Sequence, residues 1–131
     1  RLSPPAWVTA RHAEKADAIG GARIDAGSFV FVCPYMTHRH PAFWEDPEPL
    51  EPERFAPGND SVRPRFAYFP FGGGPRLCIG KDFALIEAEL AVAAVAQRYR
   101  LQLVPGHPVE AQPMITLRPR HGMRMTVHAR S

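Results

Sequence analysis

Proline constrains this chain more than any other feature. Fifteen of its 131 residues are proline, about twice the ordinary share. Each one fixes φ and removes a backbone donor, and each pushes the residue before it toward extended conformations. Most of the chain must therefore be turns, extended segments and ordered loop. One long helix pattern survives, Asp82 to Arg100. There Phe83, Ala84, Ile86, Leu90, Ala93, Ala94 and Gln97 recur along one side at three- and four-residue steps. Its alanine content predicts close packing against a neighbouring helix that this chain does not contain, and Leu85, Val92 and Val95 make other parts of its circumference apolar as well.

The segment in front of this helix is Phe71-Gly72-Gly73-Gly74-Pro75-Arg76-Leu77-Cys78-Ile79-Gly80. Three glycines and a proline make a tight loop with little side-chain bulk, leaving room for something large and flat to approach the backbone. Cys78 falls where the helix should begin. Its thiolate is favoured there by unpaired N–H groups at a helix N-terminus and by the charge of Arg76. A phosphate-binding loop needs Gly, four residues, then Gly-Lys-Ser/Thr; here five residues separate Gly74 from Gly80, and Asp82 follows Lys81. A phosphatase-like cysteine would want an arginine six positions on, where Ala84 stands. Zinc sites use paired cysteines, and Cys33 and Cys78 are far apart in sequence.

The ten residues match Phe-x-x-Gly-x-Arg-x-Cys-x-Gly at Phe71, Gly74, Arg76, Cys78 and Gly80, which resembles the haem-binding signature of the cytochrome P450 family. The resemblance extends over the whole chain, 1–131, read as one partial domain. It implies an α+β fold, the carboxy-terminal part of the cytochrome P450 fold: β-hairpins, proline-rich meander, cysteine loop, long helix and terminal antiparallel strands. It implies haem b, with Cys78 as the axial ligand of the iron and Phe71, Gly72, Ile79 and Gly80 around it. Arg76 and Arg11 would pair with haem propionates, and N–H groups after Cys78 would bond its sulfur. Val8, Thr9 and Ile115 would edge a pocket for a small organic substrate. The parent activity implied is insertion of one oxygen atom from O2, with electrons from a partner. The alternative is an inactive remnant that binds haem weakly at most. A thiol-redox or binding module would account for Cys78 but not for Pro52 to Phe55.

Arg1-Leu2-Ser3-Pro4-Pro5 resembles the end of the family's Glu-x-x-Arg helix. Arg1 then takes the arginine position, with the glutamate upstream of residue 1, so the sequence reads as cut from something longer. Pro52-Glu53-Arg54-Phe55 resembles the close of the family's meander, whose arginine joins that pair. Arg1 and Arg54 without the glutamate would repel, with Glu51 or Glu53 as partial compensation and Arg1 as a solvated terminus.

The remaining expectations are local. Gly20-Gly21 predicts a hairpin turn over Ala18 to Ile24. Ser28 to Cys33 is β-branched and aromatic without alternation, which predicts a strand covered on both faces, with Cys33 a small core residue. His38 and His40 would face opposite ways, in capping or turn roles rather than on a metal. Residues 59–65 read as polar and flexible. Ile115 to Pro119 and Met123 to His128 alternate and predict a terminal antiparallel pair.

The net charge of +3 is mild, and no recognition-helix pattern or interleaving of cations with aromatics suggests nucleic acid. Arg63, Arg65, Arg76 and Lys81 near the loop suit an acidic electron donor such as a ferredoxin, flavodoxin or flavin reductase. No signal peptide or membrane-length apolar run is present, which fits a cytoplasmic, bacterial-type protein; an anchor on a longer parent stays open.

Overall fold

The computed structural model describes residues 1–59 and 63–130. They are mixed helix and strand and divide into two units, Arg1–Pro70 and Phe71–Ser131.

The first unit begins with four short strands. β1 (Thr9–His12) and β4 (Phe29–Val32) form an antiparallel pair with Thr9 opposite Val32 and His12 opposite Phe29. Between them lies the hairpin of β2 (Asp17–Ile19) and β3 (Ala22–Ile24). Its two-residue turn has Gly20 at φ 57° and Gly21 at φ 84°; both central residues are left-handed, as the Gly-Gly pair predicts. The strand predicted over Ser28 to Cys33 forms, but its two covered faces do not. Among the described residues the sheet has two strands, with Phe29 66% and Phe31 68% exposed. A continuous apolar run shows that residues call for cover, not that the same chain supplies it.

The core of this unit lies in the proline-punctuated stretch. A four-residue helix, α1 (Pro34–Thr37), opens it with proline in the first turn, where a missing N–H costs nothing; the sequence pattern is too short to announce it. Trp44 is 2% exposed, Ala67 1% and His38 0%. Trp44 packs near Phe55 and Tyr68, at ring-centroid distances of 6.0 and 6.1 Å, and Phe55 meets Tyr68 at 4.9 Å. The indole Nε1 donates to Ala67 O at 3.2 Å, so the largest buried side chain has its polar atom satisfied.

Arginines close this cluster. Arg1 is not a solvated terminus: it donates to His38 O at 2.8 Å and Pro49 O at 3.0 Å, and its guanidinium lies 5.0 Å from the Trp44 ring centroid. Burial, then the charges of Arg54 and Arg39, lower its pKa. Arg54 pairs with Glu51 at 2.5 Å, so Glu51 rather than Glu53 supplies the compensating carboxylate. Arg54 also donates to Glu45 O and Asp46 O, at 2.6 and 2.8 Å. Those carbonyls flank the left-handed Asp46, at φ 41° the only non-glycine residue with positive φ among those described. One planar guanidinium thus fixes the backbone on both sides of a strained residue.

The expectation of flexibility over 59–65 falls partly on residues 60–62, outside the described residues. On either side of them, Asn59 donates to Glu53 O and Arg63 donates to Arg54 O.

In the second unit, α2 (Lys81–Arg98) runs into β5 (Tyr99–Leu103), which pairs with β8 (Met125–Ala129) from Tyr99 opposite Ala129 to Leu103 opposite Met125. Between them, β6 (Ala111–Pro113) pairs with β7 (Leu117–Pro119). The two terminal strands predicted to pair with each other, β7 and β8, instead each take an earlier partner. Alternation marks a strand and its faces without naming its neighbour. Tyr99 and Arg100 leave the predicted helix for the β5 ladder. No residue of α2 is buried; Phe83 is 74% exposed and Leu90 65%.

Candidate haem-binding cysteine loop

The loop is built by backbone geometry. Gly72 at φ 76° and Gly74 at φ 63° take left-handed turns that an L side chain disfavours. A short 3₁₀ turn, Gly74–Arg76, follows, with Leu77 N–H donating to Gly74 O at 3.1 Å. Cys78 N–H then donates to Phe71 O at 2.9 Å, which closes the loop on itself. Lys81 N–H reaches Cys78 O at 3.4 Å and α2 begins, with Gly80 as its cap.

Cys78 is an exposed free thiol. A Cβ built on Gly80 would stand 3.9 Å from its sulfur, in ordinary contact with it. Half-buried Phe71 shares the hydrogen-bonded neck of the loop with Cys78, while Arg76 and Gly72 are exposed and Ile79 stands fully out at 105%. A single exposed thiol beside a glycine fits the one-cysteine ligation of a haem iron. The predicted N–H bonds to the Cys78 sulfur are not formed among the described residues. No cluster of three or more His, Cys, Asp or Glu able to hold a metal ion occurs among them either.

The other predicted site residues lie in both units. Arg11 is exposed on β1, its guanidinium donating to Ala10 O. Val8 and Thr9 are half-buried, and Ile115, at the turn between β6 and β7, is 96% exposed. Glu53 makes no ion pair among the described residues; its carbonyl receives Asn59. Arg63, expected among the surface cations near the loop, instead stacks 4.9 Å from the Trp44 ring centroid and 5.2 Å from that of Phe55. Arg65 lies over Phe66 at 5.2 Å.

Cys33, expected as a core residue, is half-buried and donates its S–H to Trp7 O at 3.2 Å. His40 holds a turn, its Nδ1 accepting from Ala42 N–H. His38 does more than its sequence position foretold. Its Nε2 accepts the Phe69 N–H at 3.0 Å, and its ring packs on Tyr68 and Phe69 at 5.0 and 5.2 Å. Burial first, then the cations at Arg1 and Arg39, lower its pKa to about 4. A histidine beside a proline-rich turn carries no sequence signal for that contact, which spans 31 residues.

Comparison with known proteins bears directly on this loop. The Cytochrome P450 family model matches residues 1–125. Cytochrome P450 132 of Mycobacterium tuberculosis is 43% identical over 119 residues, covering 91% of this chain and 26% of that protein. Cyclooctatin synthase of Streptomyces melanosporofaciens is 40% identical over 117 residues, with 89% and 26% covered. Among solved structures, a cyanobacterial CYP120A1 with retinoic acid bound superposes with a TM-score of 0.91 at 34% identity, over 98% of this chain and 30% of that one. The heme domain of cytochrome P450DA gives the same TM-score at 30% identity, over 99% and 29%. The chain spans about a quarter of the length of the curated relatives it matches. No helix among the described residues is long and apolar enough to cross a membrane. With the match running through both units and across the cysteine loop itself, this chain belongs to the cytochrome P450 family.

Proposed function

We propose that the chain is the carboxy-terminal part of a haem-thiolate monooxygenase, carrying the proximal ligand of haem b on Cys78. The observation that supports this most is the exposed, unpaired thiol at the end of a loop closed by its own backbone, in a chain of this family. Bound there, the haem would supply O2 activation, which a thiolate ligand favours by pushing electron density toward O–O cleavage.

This chain's own residues have narrower tasks. Cys78 must give up its S–H proton to bind as thiolate. The bond from Cys78 N–H to Phe71 O holds the backbone of the thiol-bearing residue at the loop neck, and Gly80 adds no side chain beside the sulfur. Arg76 and Arg11 are proposed partners for the propionates, because a guanidinium matches a carboxylate's geometry. Val8, Thr9 and Ile115 are proposed to edge the pocket of a small organic substrate. Arg76 and Lys81 flank the thiol in sequence, which suits docking of an acidic donor such as a ferredoxin, flavodoxin or flavin reductase domain. A cytoplasmic location fits the charge and hydropathy.

The test is haem titration with the spectrum of the ferrous–CO form. Cys78→Ser should abolish the thiolate signature and Cys33→Ser should leave it; the reverse result would sink the assignment.

A second reading is favoured by a separate observation: the apolar residues of α2 are all exposed. On that reading the 131 residues by themselves are an inactive piece with weak haem affinity. Stoichiometric haem and substrate turnover by the purified chain would exclude it.

A further inference from the structure

We propose that His38 is an acid-sensitive latch on the chain leading into the cysteine loop. It releases the segment 66–70 when its imidazole takes up a proton. The latch belongs to the polypeptide and does not require bound haem.

The segment is held at two points two residues apart. Trp44 Nε1 donates to Ala67 O at 3.2 Å, and His38 Nε2 accepts from Phe69 N–H at 3.0 Å. His38 caps the end of α1, and Trp44 lies beyond the turn that follows it. The indole donor does not titrate, but the imidazole acceptor does. Nε2 can accept only in the neutral ring, so the proton of that ring sits on Nδ1. Protonation turns Nε2 into a donor facing another donor, and the bond to Phe69 is lost. The ring is 0% exposed, and its Nδ1 has no hydrogen-bond partner of good geometry among the described residues, so a charged imidazole would be buried with its Nε2–H lacking an acceptor.

The charged groups around it reinforce this. Arg1 donates to the carbonyl of His38 itself, and the guanidinium groups of Arg1 and Arg39 disfavour a further positive charge; a hydrogen bond with the backbone of Arg1 acts the other way and is outweighed, chiefly by burial. The nearby carboxylates are engaged elsewhere, Glu48 with Arg39 and Glu51 with Arg54. Tyr68 and Phe69 supply ring contacts and no countercharge.

The direction follows from linkage. In the latched state the imidazole titrates at about 4, against 6.5 when released. Released chains therefore bind more protons, and latching is complete above about pH 6.5 and weakens as pH falls toward 4. Between pH 7 and pH 5, above most of the ordinary carboxylate range, opening should become on the order of twentyfold more frequent.

The experiment is amide hydrogen exchange of the full chain, resolved at Phe69 and corrected for the intrinsic pH dependence of exchange. Protection of Phe69 should fall on the order of twentyfold from pH 7 to pH 5, while Gln102 on β5 stays level. In His38→Gln, Oε1 stands near the place of Nε2 and cannot titrate, so protection should be flat over the same range. In His38→Phe, Phe69 should be unprotected already at pH 7. Flat protection in the unsubstituted chain would overturn the proposal without any variant. So would a His38→Gln chain that loses protection along the same pH curve.

Discussion

The two units make different use of the same kinds of residue. In Arg1–Pro70, aromatic side chains are brought together: Trp44, Ala67 and His38 are buried, and rings and guanidinium groups surround them. In Phe71–Ser131, Phe83, Ile86, Leu90 and Val92 face solvent, and no described residue is buried. What orders the second unit is backbone: the α2 ladder, the β5–β8 and β6–β7 pairs, and the bond from Cys78 to Phe71. The lesson is that the thiol is positioned by main-chain geometry in the unit without a core. The segment that delivers the chain to it, 66–70, is held by side chains in the unit that has one.

That contrast can be broken most sharply at Trp44. Trp44→Ala should cost about 3–5 kcal/mol, read as loss of the cooperative thermal transition. Trp44→Phe keeps a ring but leaves Ala67 O without its donor, and should cost about 1–3 kcal/mol. If Trp44→Ala unfolds no more readily than a surface substitution, the first unit is not built around Trp44.

Arg54 comes next. Its side chain is 14% exposed and serves two carbonyls and a carboxylate at once. Arg54→Ala should cost on the order of 2 kcal/mol, because the half-exposed Glu51 and both carbonyls lose a charged donor. Arg54→Lys should recover only part of this, since an ammonium cannot reproduce the planar fork. Equal denaturant midpoints for Lys and Arg would show that charge alone suffices.

The pH dependence of the first unit should be milder. His38 has its folded pKa depressed from 6.5 to about 4, so its neutral form is the one folding favours. Stability from this group is present above about pH 6.5 and is lost as pH falls toward 4, on the order of 2 kcal/mol. Denaturant unfolding at pH 7 and pH 5 should show the difference, and His38→Gln should remove most of it.

Asp46→Gly should stabilise or be neutral, by about 1 kcal/mol at most. Glycine relieves the left-handed strain while the carbonyls that bind Arg54 remain. The smallest effects belong to α2. Ile86→Ser or Val92→Ser should shift the thermal midpoint by less than about 0.5 kcal/mol equivalent. Yet each should reduce self-association in sedimentation, because an exposed apolar patch promotes contact between copies. A large destabilisation at Ile86 would mean that the second unit buries it after all.

Several features were legible from the sequence because their causes are local. The Gly20-Gly21 turn follows from φ preferences of two residues, α2 from an unbroken proline-free pattern, and the shape of the cysteine loop from its glycines. The proposal of Cys78 rather than Cys33 as the iron ligand rests on the residues beside it. Other features depend on where distant segments come to lie, and no local pattern encodes that. The alternation in β7 and β8 marked them as strands but did not name their partners. Glu51 and Glu53 were equal candidates for Arg54 until the 3₁₀ turn at Pro52–Phe55 decided between them. Arg63 read as a surface cation, although its charge rests on Trp44 and Phe55.

His38 marks the boundary most clearly. By composition it is one of six histidines, with no spacing to distinguish it. Its burial, the Phe69 bond and the depressed pKa arise because tertiary packing brings residues 31 apart in sequence into one dry place. Hydrogen bonding and desolvation act on distances in space, and those only the folded chain determines.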